Sequence, residues 1–134
     1  MNNLFAIKDN VVVITGGTGV LGTAIAKYLA AEGAKVVILG RRKDEGERIV
    51  AEIKAGGGEA MFLVTDVMNP ETVQANCDEI MAAYGKIDAL LNAAGGNMPG
   101  ATIAPTGNFF DVKIEAFQKV LDLNLTGKVI PTQV

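Results

Sequence analysis

The sequence predicts an α/β fold, with a parallel sheet covered by helices on both faces, and three observations predict it. Short β-branched and aliphatic runs alternate along the chain with longer segments of helical periodicity. Sixteen glycines stand at the turns between these segments rather than in a low-complexity tract. The 134 residues, 49% of them hydrophobic, suffice for one buried core but not for two. We therefore expect one doubly wound domain over residues 1–134.

Four strands are predicted from continuous apolar runs, the pattern of strands that are buried on both faces of a parallel sheet. They are Val11 to Thr15, Lys35 to Leu39, Ala60 to Val64 and Ile87 to Leu91. Because right-handed crossovers join parallel neighbours, we expect the partial spatial order 3-2-1-4. The fourth strand is then an exposed edge, and a free edge favours association. We therefore expect the chain to form homo-oligomers.

Helices are predicted between the strands and after the last one. The first three run from Gly22 to Gly33, from Asp44 to Ala55 and from Pro70 to Tyr84. A loop rich in Gly, Pro, Asn and Thr follows at residues 95–108. Helical periodicity resumes at Ile114, and we expect Gly127 and Pro131 to weaken the end of this last helix.

Composition excludes several classes of function. The net charge of -3 and the pI near 4.9 provide no basic field for a nucleic acid. A lone cysteine, Cys77, cannot form an internal disulfide, and the absence of histidine excludes a Cys/His metal site, so we expect no metal. A reducing cytoplasm fits this composition. The sequence shows neither an export signal nor an apolar run that could span a membrane, so no membrane association is expected.

A glycine-rich loop joins the first predicted strand to the first predicted helix. In such a turn a dinucleotide's pyrophosphate meets free amides and the positive end of the helix dipole. Glycines there permit the tight turn, the approach of the phosphates and close packing of the helix. The expected cofactor contacts are Gly16, Thr18, Gly19, Val20, Leu21 and Gly22. The alternative is a turn with no ligand, and a Walker loop is excluded because no Gly-Lys-Ser/Thr follows.

Two arginines, Arg41 and Arg42, follow the second predicted strand, where an NAD-binding protein usually carries an acidic residue about 20 positions beyond the loop. Gly40 occupies the acidic position. Because an arginine fork suits a 2′-phosphate, we expect NADP(H) to be preferred, with NAD(H) as the alternative cofactor. The competing interpretation is a solvated basic pair that leads into Lys43.

Four motifs in order make the chain similar to the short-chain dehydrogenase/reductase family, over essentially all 134 residues. They are the loop at residues 15–22, Asp66-Val67 after the third strand, Asn92-Ala93-Ala94-Gly95 after the fourth, and Asn124 in the segment at residues 123–127. The resemblance implies a Rossmann-type fold. Two features depart from the family pattern, the Gly-x-x-Gly-x-x-Gly spacing of the loop and Ala93 in place of a second asparagine.

The resemblance also implies roles for these residues. Asp66 would bind the adenine amino group with Val67 alongside, Asn92 to Gly95 would line the adenosine ribose, and Asn124 would support a catalytic proton relay. Judged by spacing alone, Asp66 could instead cap the turn before Pro70. By the same criterion, Asn124 could satisfy backbone groups where its helix is distorted.

The implied function is that of an NAD(P)-dependent oxidoreductase acting on a small hydroxyl or carbonyl substrate. Segments at 94–97, 108–111, 122–124 and 131–133 most resemble mannonate (fructuronate) oxidoreductase-like members, which makes a sugar acid one candidate substrate. The family's chemistry requires Tyr-x-x-x-Lys, which these 134 residues do not contain. We therefore expect a C-terminally incomplete domain that is inactive alone. The alternative is a non-catalytic NAD(P)-binding module or sensor.

Overall fold

A computed structural model describes residues 5–134. They contain one parallel four-stranded sheet with the strand order 3-2-1-4, which confirms the predicted Rossmann-type topology. The strands are β1 (Val11–Thr15), β2 (Lys35–Gly40), β3 (Glu59–Val64) and β4 (Ala89–Asn92). The prediction that the fourth strand runs from Ile87 to Leu91 was wrong by two residues at its start. Pairing with β1 begins only at Ala89, opposite Val12, and it continues through Asn92.

The helices are α1 (Val20–Ala31), α2 (Lys43–Ala55), α3 (Pro70–Tyr84), α4 (Ile114–Leu121) and α5 (Gly127–Gln133). Residues of the first three pack on the two faces of the sheet. The first helix begins earlier than predicted, because Gly19 has the extended backbone of an N-cap residue. A π-helical turn, Asp122–Thr126, joins α4 to α5. The helical path then continues through Gly127 and Pro131, both of which are buried.

Residues of β1 alternate between two hydrophobic clusters, one on each face of the sheet. Val12 and Ile14 pack with residues of α1 and α2, whereas Val11 and Val13 pack with Ile80 of α3. All five residues of β1 are buried. The continuous apolar runs in the sequence therefore reflect strands that are buried on both faces.

A carboxylate fixes the amino-terminal edge of β1 relative to the segment before β4. Asp88 accepts a hydrogen bond from the backbone N–H of Val11 at 2.7 Å, and Lys86 contacts the same carboxylate at 2.8 Å. The hydrogen bond from Lys86, and then that from Val11, lower the pKa of Asp88. Because the Asp88 carboxylate bonds to the Val11 N–H, Asp88 precedes β4 and does not form part of the strand.

Close packing of α2 on the sheet depends on a glycine within the helix. A Cβ atom at Gly46 would lie 2.2 Å from the aromatic ring of Phe62 in β3. Glycine is unfavourable in a helix interior by about 1 kcal/mol relative to alanine. Its presence in α2 is therefore explained by the space that the Phe62 ring occupies.

Gly46→Ala tests this packing, because helix propensity and packing predict opposite signs. We expect the free energy of unfolding to fall by about 1–3 kcal/mol, since the new methyl group overpacks the contact with Phe62. Urea unfolding of the single variant, of Phe62→Leu and of the double variant measures both the loss and the coupling between the two sites. A more stable Gly46→Ala protein would contradict the packing explanation.

Candidate functional site

A cleft of about 260 Å³ lies at the carboxyl ends of the strands. Four connections line it, namely those after β1, after β2, after β3 and after β4. The predicted site residues that line the cleft are Gly16, Thr18, Gly19, Arg41, Arg42, Asp66, Val67, Ala93, Ala94 and Gly95. Motifs that are separated by up to about eighty positions in the sequence therefore meet at one edge of the sheet, which is where parallel folds bind ligands.

The remaining predicted residues lie outside the cleft lining. Val20 and Leu21 begin α1 with 91% and 76% of their surface exposed, and Gly22 is buried behind the loop. Asn92 does not line the cleft, and its side-chain amide donates to the Thr132 hydroxyl at 3.0 Å. The carbonyl oxygen of this Asn92 side chain is buried without a hydrogen-bond partner among the described residues.

The glycine loop is shaped by contacts that leave no room for side chains. Gly16 has a φ of 65°, and a Cβ there would lie 2.7 Å from the Ala94 backbone. At Gly22, a Cβ would lie 2.5 Å from the Gly16 carbonyl oxygen. Gly19 differs, because its φ of -78° suits any residue and its Cβ would contact only that same oxygen, at 3.2 Å. Gly16 and Gly22 are therefore required by the fold, whereas Gly19 is not.

The amino terminus of α1 is free to interact with an anion. No side chain caps this helix end, and no acidic residue lies in the first turn. The first backbone N–H groups of a helix have no partner within it, and together they carry the positive end of the helix dipole. A negatively charged group in the cleft would therefore be bound by these amides.

A second set of contacts joins the glycine loop to the end of β2. The Arg42 guanidinium donates a hydrogen bond to the Thr18 backbone carbonyl. Thr18 is only 7% exposed, and a Cβ at Gly40 would lie 2.8 Å from its hydroxyl oxygen. This hydroxyl lines the cleft without a hydrogen-bond partner among residues 5–134, so it can bind a ligand. Arg41 is exposed at the same edge.

Asp66 forms a local turn and also faces the cleft. Its carboxylate accepts the Met68 backbone N–H at 3.0 Å, so part of its hydrogen-bonding capacity serves the chain itself. The N-cap of α3 is Asn69, which accepts the Thr72 N–H at 3.1 Å immediately before Pro70. The turn that was one interpretation of Asp66 is therefore present, while one carboxylate oxygen remains for another partner.

Asn124 lies in the π-helical turn and holds the segment that follows β4. Its side-chain amide donates to the carbonyl oxygens of Gly96 and Val120, at 2.6 and 2.8 Å, and its oxygen accepts the Gly96 N–H at 3.1 Å. A Cβ at Gly95 would lie 2.6 Å from that oxygen. The geometry matches the expectation of an asparagine that satisfies backbone groups at a helix distortion.

Two supporting residues were missed by the sequence analysis. Thr15 is fully buried at the end of β1, and its hydroxyl accepts the Ala94 N–H at 3.1 Å. Asn76 of α3 donates to the Thr65 hydroxyl at 2.6 Å and thereby holds the end of β3 beside the cleft. The available signal was a polar residue on the apolar face of α3, between the buried Val73 and Ile80.

Two other kinds of site are absent from the part of the chain that the structure describes. In residues 5–134 no three Asp, Glu or Cys side chains lie close enough together to bind a metal ion. Over the same residues, no helix has the length and apolar character needed to cross a membrane.

A parallel doubly wound sheet, with a glycine loop and an uncapped helix at the mouth of its cleft, defines the dinucleotide-binding class of α/β domains. The sequence profile of the short chain dehydrogenases matches residues 10–134. The chain therefore belongs to the short-chain dehydrogenase family, and the resemblance that the four motifs indicated is confirmed.

Individual relatives agree with this assignment. The uncharacterized oxidoreductase UxuB of Bacillus subtilis is 39% identical over 130 residues, which are 91% of this chain and 47% of the relative. A Haemophilus influenza protein with the proposed activity of a D-mannonate oxidoreductase, solved with bound NAD, superposes with a TM-score of 0.87 at 31% identity. That match covers 98% of this chain and 52% of the other.

An actinorhodin polyketide ketoreductase variant, solved with NADPH, superposes with a TM-score of 0.82 at 27% identity. The match covers 93% of this chain and 45% of the ketoreductase chain. This chain thus spans about half the length of the relatives it matches.

Proposed function

We propose that these residues form the NAD(P)(H)-binding part of an oxidoreductase that interconverts a hydroxyl and a carbonyl group on a small substrate. The observation that carries the proposal is the cleft, where an uncapped helix amino terminus, a glycine loop and a Thr18 hydroxyl with no hydrogen-bond partner in residues 5–134 face one space. When bound, the nicotinamide supplies or accepts the hydride. The residues of this chain would bind the cofactor and orient it.

Each part of the cleft suits a different part of the cofactor. The amides that begin at Val20, together with the open space beside Gly19, would hold the pyrophosphate. The remaining carboxylate oxygen of Asp66 would accept the adenine amino group beside the buried Val67. Ala93, Ala94 and Gly95 would line the adenosine ribose, while Asn92 would support them from behind.

We further propose that NADP(H) is the preferred cofactor. One structural neighbour holds NAD and another NADPH, so the family likeness alone does not choose between them. The choice rests on local chemistry. Gly40 provides no acid for the ribose hydroxyls, and Arg41 is exposed at the cleft edge, where a 2′-phosphate would need a cation. Arg42 contributes less, because its guanidinium is already bonded to the Thr18 carbonyl.

The substrate class and the assembly are proposed on narrower grounds. The name of the Haemophilus protein and the similar segments in this sequence favour a sugar acid as the substrate. Homo-oligomers are favoured because α4 exposes apolar side chains, among them Ile114 and Phe117, and because β4 pairs on one side only.

Arg41→Asp tests the proposed preference. We expect the unmutated chain to bind NADPH about tenfold or more tightly than NADH, because a charge-assisted contact to the phosphate adds roughly that much. The substitution should reduce the ratio of the affinities for NADPH and NADH, or reverse the preference. Titration of both cofactors by nicotinamide fluorescence measures it, with Lys43→Asp as a control that makes the same charge change outside the cleft. Equal affinities in the unmutated chain would overturn the preference.

Gly19→Val tests whether the loop binds phosphate. We expect cofactor binding to be lost while the far-ultraviolet spectrum and the melting temperature stay close to those of the unmutated chain, because the backbone at Gly19 tolerates a side chain. Gly56→Val is the matched control, since it adds the same side chain at a negative φ, at the far end of α2. Normal binding in calorimetry by the Gly19 variant would mean that the loop is only a turn.

The 134-residue chain should not catalyse hydride transfer by itself. The family mechanism needs a tyrosine whose pKa a nearby lysine lowers, and here Tyr28 is followed four residues later by Glu32 and Tyr84 by Asp88. Burial and the charge of Glu59 instead raise the pKa of Tyr84. A steady-state assay with NADPH and sugar-acid and carbonyl substrates should show no turnover. Activity that survives removal of contaminating dehydrogenases would refute this expectation.

A further inference from the structure

We propose that Thr18 acts as a steric gate on cofactor choice, in that its side chain occupies the space that an acidic residue at position 40 would need. The inference rests on the proposed NAD(P)(H) site and goes beyond it. It explains why glycine stands at the end of β2, and it names a specificity-determining residue on a different loop from the arginines.

The contact between Thr18 and Gly40 is tight on several atoms. A Cβ at position 40 would lie 2.8 Å from the Thr18 hydroxyl oxygen and 2.9 Å from the Thr18 methyl group. Real Cβ atoms do not approach other heavy atoms so closely. The same Cβ would lie 3.4 Å from the Thr18 Cβ, an ordinary van der Waals distance. The two outer atoms of the threonine side chain, and not its backbone, therefore block position 40.

Thr18 cannot easily turn out of the way. The residue is 7% exposed, and branching at its Cβ restricts rotation about χ1. The Arg42 guanidinium bonds to the Thr18 carbonyl and so fixes the backbone of the loop against the end of β2. Arg42 is thus a positioning residue, which keeps Thr18 where it excludes a side chain at position 40.

This exclusion determines how the adenosine ribose can be recognised. In the related folds an acid after the second strand reads the 2′- and 3′-hydroxyls and repels a 2′-phosphate. Arg42 lines this part of the cleft and is bonded to the Thr18 carbonyl. Thr18 and Arg41 line it as well, with a hydroxyl and a guanidinium. Both can donate hydrogen bonds to phosphate oxygens. Thr18 therefore restricts position 40 to glycine. With no carboxylate at that position, nothing there repels the 2′-phosphate of the phosphorylated cofactor.

A set of double variants separates the gate from the hydroxyl. Gly40→Asp adds the acid with the gate closed, and Thr18→Ala/Gly40→Asp adds it with the gate open. Thr18→Val/Gly40→Asp is the matched control, because valine keeps the shape of threonine and removes only the hydroxyl. Calorimetric titration with NADPH and with NADH gives both dissociation constants for each chain.

We expect the open-gate double variant to prefer NADH, by about tenfold or more, because a carboxylate bonded to the ribose hydroxyls gains roughly that factor. Gly40→Asp and the valine double variant should bind both cofactors at least about tenfold more weakly than the unmutated chain. If Gly40→Asp alone bound NADH as tightly as the open-gate variant, Thr18 would not be a gate.

Thermal unfolding tests the steric claim without any cofactor. Gly40→Ala should lower the melting temperature, and the loss should be smaller when Thr18→Ala is also present. An unchanged melting temperature in Gly40→Ala would overturn the proposal even if the aspartate variants failed to fold. Should the folded, unmutated chain bind neither cofactor while this coupling is present, the proposed function would fail and the steric contact would stand.

Discussion

The backbone of Gly16 lies against the backbone of Ala94, at a distance that admits no side chain on the glycine. This contact brings the loop after β1 to the chain that leaves β4, and Thr15 strengthens it by accepting the Ala94 N–H. Gly22, in the first turn of α1, also packs against the Gly16 backbone too closely to admit a side chain. The position of the helix amino terminus, and hence the positive end of its dipole beside the cleft, follows from this close approach of backbones.

Three side chains transmit this arrangement to the other connections. Arg42 bonds to the Thr18 carbonyl, Asn124 holds both backbone groups of Gly96, and Asn76 holds Thr65 at the end of β3. None of them needs to touch a ligand to matter, because each sets the place of a residue that lines or borders the cleft. Hydrogen-bonded networks of this kind determine the geometry of a site as directly as its contact residues do.

Periodicity predicted those parts of the fold that depend on local pattern. The apolar run of β1 and the amphipathic α2 and α3 lie where the sequence indicated, because burial of one face fixes such elements. The start of β4 was mispredicted. Ile87 fits the apolar pattern of a strand, but in the folded chain the Asp88 carboxylate accepts the Val11 N–H. Hydrophobic pattern carries no information about such a side-chain contact.

The motifs predicted which residues line the cleft better than they predicted what each residue contacts. Asn92 was expected to line the ribose, yet its amide bonds to Thr132, forty positions away in the sequence. The partners of Arg42 and Asn124 are likewise twenty-four and twenty-eight positions distant. Contacts at such separations arise from the order of the strands, so they emerge only when the chain is folded.

We propose that the carboxyl edge of the sheet binds NADP(H), and amide chemical shifts of the unmutated chain during titration with NADPH test this proposal most directly. Saturable shifts should appear at Gly19, Arg41, Asp66 and Ala94, while Lys86 at the opposite edge should stay unchanged. Shifts that do not saturate, or that cluster away from the cleft, would contradict the claim.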